Sequence, residues 1–526
     1  MIKRLLILVL LLIAVPCWAI DDCGDADADT WCIEAGDATF DGDTGCNGTT
    51  CDGDNTIIID AGTRNDLALR DLHGSSGNYI TIRNATNGRV IIDEADANPA
   101  ALTLRDSTYV EITGNGETGH TWTSGCTTDS CYGIELYSDE AVGAYMFGSI
   151  GECDYIKLQY IKVNMTDATS KTLTTGITVQ SGDLSENETL DTWDIGYNYI
   201  YDCDFASFYL GNNWPGTDPR IANFDLHHNL IEDSGETAIT FKGLGTNNTL
   251  SKIRNNIIRP SVSTTDRSTG QIRNVENCTG DDTPYNGCNG EGTCGAGTTS
   301  GQTCDWISFS GSGIKLDDPG GQELEIYGNR FVKTYGPSIS FHEQETGLMW
   351  SETLVYNNLI LMPGTMGNTD TDYANSGIYV NASSGAYNPP LMYNNTIVDP
   401  SDYGIYGDGS GIPQGTYYWD NLIVDPEGLY VGTDDEHFDG GIGDYANTHS
   451  TTDTGFVSWD SDSNFEDGDD FDLATGHSVS VMGDEVLTTD YNGDVRVSPF
   501  DDGAYDYSVL PQTYPLLGAA GDFKYN

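Results

Sequence analysis

Short stretches in which apolar and polar residues alternate recur along most of this chain. They read Gly176-Ile177-Thr178-Val179-Gln180, Phe208-Tyr209-Leu210-Gly211, Ile239-Thr240-Phe241-Lys242, Gly313-Ile314-Lys315-Leu316-Asp317, Ile339-Ser340-Phe341-His342, Gly377-Ile378-Tyr379-Val380-Asn381 and Gly404-Ile405-Tyr406-Gly407-Asp408. A period of two puts one set of side chains on a buried face and the other outward, so each stretch predicts a strand. A second phrase, Asn followed two residues later by Ile or Phe, accompanies them at Asn198, Asn229, Asn256, Asn329, Asn358, Asn395 and Asn421. Its copies lie 31, 27, 73, 29, 37 and 26 residues apart, and the widest gap holds a Cys-rich insertion.

Two strands per repeat, no amphipathic helix between them and a period near 25–35 residues predict an all-β, single-stranded right-handed parallel β-helix. A β-propeller needs four strands per blade and about 40–45 residues, longer than most of these spacings. Stacked coils set like residues on like, so the recurring Asn are expected to be buried in one file, their amides bonding along the helix axis. About ten coils are expected over residues 55–430, with residues 20–54 closing one end and an irregular cap over 431–526 at the other. Phe456, Val457, Trp459, Phe471 and Leu473 are the apolar residues available to that cap.

Aligning the alternating strands on their inward Ile and Phe gives two outward columns. The first reads Thr178, Tyr209, Thr240, Lys315, Ser340, Tyr379 and Tyr406; the second reads Gln180, Gly211, Lys242, Asp317, His342, Asn381 and Asp408. Lys242, Lys315, Asp317 and His342, with Glu343 beside them, form a mixed cluster able to supply a base, an acid and a cation, and they are the candidate catalytic residues. Tyr209, Tyr379 and Tyr406, with Asn381 and Asp408, are the candidate ligand-binding residues, the rings offering flat faces and the hydroxyls remaining in water.

Composition then narrows the partners. The 526 residues carry 81 acidic against 22 basic side chains, a net charge of -59, which argues against nucleic acid, because neutralising phosphate needs clustered Lys and Arg. Residues 1–19 read as a secretory signal: Lys3 and Arg4 precede the apolar run Leu5–Val15, and Ala19 offers a small residue for cleavage. No later apolar run is long enough to span a membrane, and the mature chain is expected to be secreted and monomeric. Its 12 remaining Cys suggest disulfides, with Cys23/Cys32, Cys46/Cys51 and Cys126/Cys131 close enough for local bridges. Cys278, Cys288, Cys294 and Cys304 lie in the insertion at 262–304, expected to wall the face of Lys242 and His342. No cofactor is demanded. Calcium is the ion that acidic turns such as Asp25-Ala26-Asp27-Ala28-Asp29 and Asp467-Gly468-Asp469-Asp470 leave open, although neither has EF-hand ligand spacing. His227 and His228 are expected to alternate in and out and so not to share a metal.

The segments Asn55–Thr63, Gly77–Arg83 and Arg89–Asp93 resemble the opening coils of secreted pectin-lyase-like β-helix proteins. Asp490, Gly493 and Arg496, followed by Asp502-Gly503-Ala504-Tyr505, resemble the closing segment of bacterial members, so the resemblance covers about residues 55–507. It implies that the alternating strands line a polysaccharide groove. The segment Asn229–Lys242 is similar to the strand that carries a basic Lys in alginate-lyase and chondroitinase-B-like enzymes. Those also use an Arg in an Arg-His-Gly context, which this chain lacks; its next coil offers Lys315.

Two functions follow. As a polysaccharide lyase, the protein would use Lys242 or His342 as base and Lys315, or calcium held by Asp317, to neutralise the sugar carboxylate; a hydrolase would instead pair Asp317 with Glu343. As a non-catalytic secreted binding or surface protein, it would need the groove but no placed base.

Overall fold

A computed structural model of the chain describes residues 30–473 apart from intervening segments, the longest being 260–311; residues 1–29 and 474–526 also lie outside it. The expected signal segment, the Cys-rich insertion and Trp459 all fall outside the described residues.

The fold is the right-handed parallel β-helix that the alternation predicts, with three strands per coil rather than two. One coil runs through Asp225–His227, Leu230–Glu232 and Thr237–Phe241. Each strand pairs in parallel with its counterpart in the next coil, as Asp225 does with Lys252, Leu230 with Ile257 and Thr237 with Ser312. Three sheets result: the first precedes each recurring Asn, the second follows it, and the third carries the alternating strands. Among the described residues the second sheet has twelve strands, from Gly62–Arg64 to Thr448–Ser450. The long strands Ala100–Thr113 and Tyr145–Gln159 cross a corner unbroken and serve the third sheet and then the first.

Parallel pairing starts earlier and ends later than residues 55–430. Thr30–Ile33 already pairs with Thr56–Ile59, and Leu422–Val424 pairs onward with Thr448–Ser450. Beyond it, Phe456–Ser458 and Asp470–Leu473 pair antiparallel with each other.

The interior is filled by files of aliphatic and aromatic side chains. In the third sheet Ile177, Phe208, Ile239, Ile314, Ile339, Ile378 and Ile405 follow one another in register, all with no exposed surface. Burying a side chain of this kind contributes about 1.5–3 kcal/mol.

The Asn file forms as expected. Asn198, Asn229, Asn256, Asn329, Asn358, Asn395 and Asn421 are 0–1% exposed. Each Nδ2 from Asn198 to Asn395 donates to the next Oδ1 at 2.9–3.1 Å, and each also donates to a main-chain carbonyl of the preceding coil, as Asn329 does to Ile253 at 2.9 Å. Each Oδ1 also accepts the main-chain N–H of the Asn before it, so an interior amide has every hydrogen-bonding site filled. The residue before each of the first six of these Asn has a positive φ: Tyr197 (61°), His228 (53°), Asn255 (54°), Gly328 (62°), Asn357 (52°) and Asn394 (52°). One left-handed residue followed by Asn thus turns the chain from the first sheet into the second, in too few residues to separate the strands by eye.

Cys46 and Cys51 form a disulfide, and Cys32 and Cys131 are also disulfide-bonded. Cys153 departs from the all-bridged expectation: it is a free thiol buried in the core, and burial pushes it up to about 12. Among the described residues, no helix is long and apolar enough to cross a membrane.

Candidate functional site

The third sheet carries the candidate residues, and its register reproduces the first outward column and two pairings of the second. Thr178 pairs with Tyr209, Tyr209 with Thr240, Thr240 with Lys315, Lys315 with Ser340, Ser340 with Tyr379 and Tyr379 with Tyr406. In the second column Asp317 pairs with His342 and Asn381 with Asp408. Lys242 lies just past Thr237–Phe241, its main-chain N–H donating to Leu210 at 2.8 Å. Neighbouring coils are about 4.8 Å apart, so Lys315 is one coil from Lys242 and Asp317 one coil from His342. The side chains of Asp317, His342, Asn381 and Asp408, and all of Glu343, lie outside the described residues.

Exposure differs from the sequence expectation. Tyr379 and Tyr406 are each only 2% exposed. Their rings stack at 6.2 Å, and Tyr403 stacks on Tyr406 at 5.2 Å. These two tyrosines are covered, their faces engaged within the protein, and they are not wet platforms. Thr178, Thr240 and Ser340 are likewise buried, and Lys242 is 9% exposed. Tyr209 and Lys315 are the half-buried members of the first column. The sheet therefore offers a partly closed face, with Tyr209 and Lys315 as its accessible points in that column.

The first sheet presents an outward face that the sequence reading missed, although polar-apolar-polar triplets before each Asn (Asp225-Leu226-His227, Lys252-Ile253-Arg254, Glu325-Ile326-Tyr327) signal it. It is zoned along the helix. Near its middle Arg254 grips Asp225 at 2.9 and 2.7 Å, and Lys252 approaches Glu325 at 4.0 Å. Further on, Tyr327, Tyr356 and Tyr393 stack in a file with centroids 4.9 and 5.3 Å apart; burial, with Glu325 beside it, raises the Tyr356 hydroxyl above its ordinary range. Asp194, His227 and His228 meet on this face. His227 Nε2 lies 2.8 Å from Asp194, and the two Nδ1 atoms of His227 and His228 are 2.9 Å apart. The positive φ of His228 breaks the alternation, so the two rings face each other instead of opposite sides of the strand.

Buried charge on the second sheet is internally paired. Glu232, 3% exposed, accepts from Arg259 at 2.6 Å and from the Tyr199 hydroxyl at 2.7 Å. Glu135 is held by Arg89 at 2.8 Å and by Lys162 at 3.4 Å. Among the described residues, one carboxylate cluster has the spacing for a metal ion: Asp41, Asp43 and Asp71. Arg70 already neutralises Asp41 at 2.8 Å.

No protein-family model matches the chain, and no curated protein matches it in sequence. Among solved structures it is similar to the pectate lyase Pel9A, at 11% identity and TM-score 0.38, over 93% of this chain and 100% of that one. It is also similar to an alginate lyase from Paenibacillus sp. str. FPU-7 (11%, TM-score 0.32, 79% and 99%). A third likeness is to a lacto-N-biosidase from Eubacterium ramulus (11%, TM-score 0.35, 81% and 68%). The strand pairing above, not these likenesses, establishes the fold.

Proposed function

We propose that this is a secreted polysaccharide-active protein that binds an acidic polysaccharide along its third sheet and cleaves it by β-elimination. The observation that supports this reading is the register itself. Lys242 and Lys315 stand on neighbouring coils, and the Asp317–His342 pair follows in the adjoining column. Cations on neighbouring coils suit a carboxylate on each sugar, and an imidazole, half-neutral near pH 6.5, is a competent base.

In this reading Lys315 offsets the charge of the uronate carboxylate, which acidifies the adjacent carbon. His342 takes the proton from that carbon, with Lys242 the other candidate base. The electron pair forms the double bond as the glycosidic C–O bond breaks, and the departing oxygen takes a proton from water. Tyr209 and the polar pair Asn381 and Asp408 would contact neighbouring sugars. Tyr379 and Tyr406 would act from beneath as a packed floor.

The covered tyrosines and the low exposure of Lys242 favour a second reading, a binding protein without turnover. Incubation of the purified protein with alginate, pectin and chondroitin, with and without calcium, separates them. Absorbance near 235 nm reports unsaturated ends. Reducing ends without that absorbance indicate hydrolysis, by Asp317 and Glu343. Binding without either product supports the second reading, and absence of binding to any of the three defeats the acidic-polysaccharide proposal.

A further inference from the structure

His227 and His228 meet head-on. Their ring centroids are 5.1 Å apart and their Nδ1 atoms 2.9 Å apart, so both nitrogens lie close to the line joining the rings. Two imidazole lone pairs cannot face each other at that distance, so one proton lies between them. A metal ion does not fit this geometry, since each lone pair points at the other nitrogen rather than at a shared point to one side.

The neighbours fix the direction of the chain. The Asp194 carboxylate accepts from His227 Nε2–H at 2.8 Å, which leaves His227 Nδ1 as acceptor and makes His228 Nδ1–H the donor. His228 Nε2 then carries no proton, and Asn255 Nδ2 lies 3.5 Å from it. The Asn255 oxygen points the other way, towards Gly328, where an added Cβ would lie 2.3 Å from it. Gln159 donates to the second Asp194 oxygen at 3.3 Å. Tyr197 stacks on His228 at 5.1 Å and meets His227 edge-on at 5.0 Å. The His227 ring lies over Gly196, where any Cβ would strike it at 2.3 Å.

We propose that Asp194, His227, His228 and Asn255 form an acid-sensitive latch that ties three successive coils together through one shared proton. A further proton can enter only at His228 Nε2, where it meets the Asn255 amide N–H. The charged groups around the pair set the same sign. Asp194 lies on the preceding coil with Lys157 one coil further back, Asp225 shares the strand of His227, and Arg254 with Lys252 lies on the following coil. Arg254 already grips Asp225, so its charge stays beside His228. Burial, then His227 and Arg254, bring His228 down to about 3. Burial works to raise Asp194, but the hydrogen bond from His227, with that of Gln159 and the charge of Lys157, outweighs it and holds that carboxyl below its ordinary range.

A neutral His228 in the fold and an ordinary one in the unfolded chain give a definite sign. Its contribution to stability is complete above pH 6.5 and is lost as pH falls from 6.5 towards about 3. Asp194 adds its own loss only below its ordinary value of 3.8. The latched coils continue into Ala206–Leu210 and Thr237–Phe241, which carry Tyr209 and lead to Lys242. Acid opening therefore loosens the proposed groove, a consequence that rests on the polysaccharide reading, whereas the latch does not.

The test is long-range ¹H–¹⁵N NMR of the full chain labelled at histidine, between pH 8 and 4, with His227→Gln and His228→Phe assigning the two rings. Expected are an Nε2–H tautomer for His227 and an Nδ1–H tautomer for His228, with His228 still neutral at pH 5. Thermal midpoints of wild type should fall more steeply than those of His228→Phe between pH 7 and 4. Titration of His228 near 6.5, equal slopes, or a joint shift of both rings on adding Zn²⁺ or Cu²⁺ would overturn the latch. Where one variant fails to fold, the other assigns its own ring, and the coupling across the Nδ1–H···Nδ1 contact assigns the second.

Discussion

Asn329 has no conformational excuse for being Asn; its value is that four buried partners depend on it. Its amide donates to Asn358 and Ile253 and accepts from the amide and main chain of Asn256. Replacing it with Ala orphans those groups inside the helix, so Asn329→Ala should lose about 3 kcal/mol in urea unfolding, the sum of unmet buried hydrogen bonds at about 1–3 kcal/mol each after partial relaxation. A loss below about 0.5 kcal/mol would mean that the file is ornamental. This residue pattern was legible in the sequence because stacking repeats a side chain once per coil. The facing of His227 and His228 was not, because alternation assumes extended backbone and His228 leaves it. Nor was the burial of Tyr379 and Tyr406, which depends on what packs over the sheet rather than on the strand itself.

At the scale of the strand and turn, the corner before each Asn accepts Asn or Gly more readily than branched residues. Gly328 at φ 62° leaves no room for a Cβ, which would sit 2.3 Å from Asn255 Oδ1. Gly328→Ala should therefore cost about 1–2 kcal/mol, while Asn357→Gly, at φ 52°, should change stability by a few tenths of a kcal/mol. Equal effects of the two in thermal unfolding would show that this corner does not constrain the coil. The same corner explains the two-strand reading of the sequence. With one residue between the first-sheet strand and the Asn, and Gly present only at 328, nothing punctuates the join as a Gly- or Pro-rich loop would. In the third sheet, bounded by longer connections, the register of the first outward column was readable from Thr178 to Tyr406.

The whole molecule is a long, strongly acidic solenoid whose few cations are placed rather than scattered. Lys252 is tied to Glu325 on the first sheet, whereas Lys315 stands half-buried in the outward column of the third. A net charge of -59 repels a polyanion at low salt. Turnover of an acidic polysaccharide should accordingly rise between about 0.01 and 0.15 M NaCl, as the screening length falls from about 30 to 8 Å. A rate falling steadily over that range would place attraction, not repulsion, in control. The claim that the third sheet is the polysaccharide face is tested most directly by comparing kcat/KM, or Kd if no turnover is found, for wild type, Lys315→Ala and Lys252→Ala on the same polysaccharide. The account predicts a loss of at least about tenfold, 1.4 kcal/mol, for Lys315→Ala and an unchanged value for Lys252→Ala, whose long, partly solvated pairing on another sheet contributes little. Equal values for all three proteins, or a loss confined to Lys252→Ala, would contradict it.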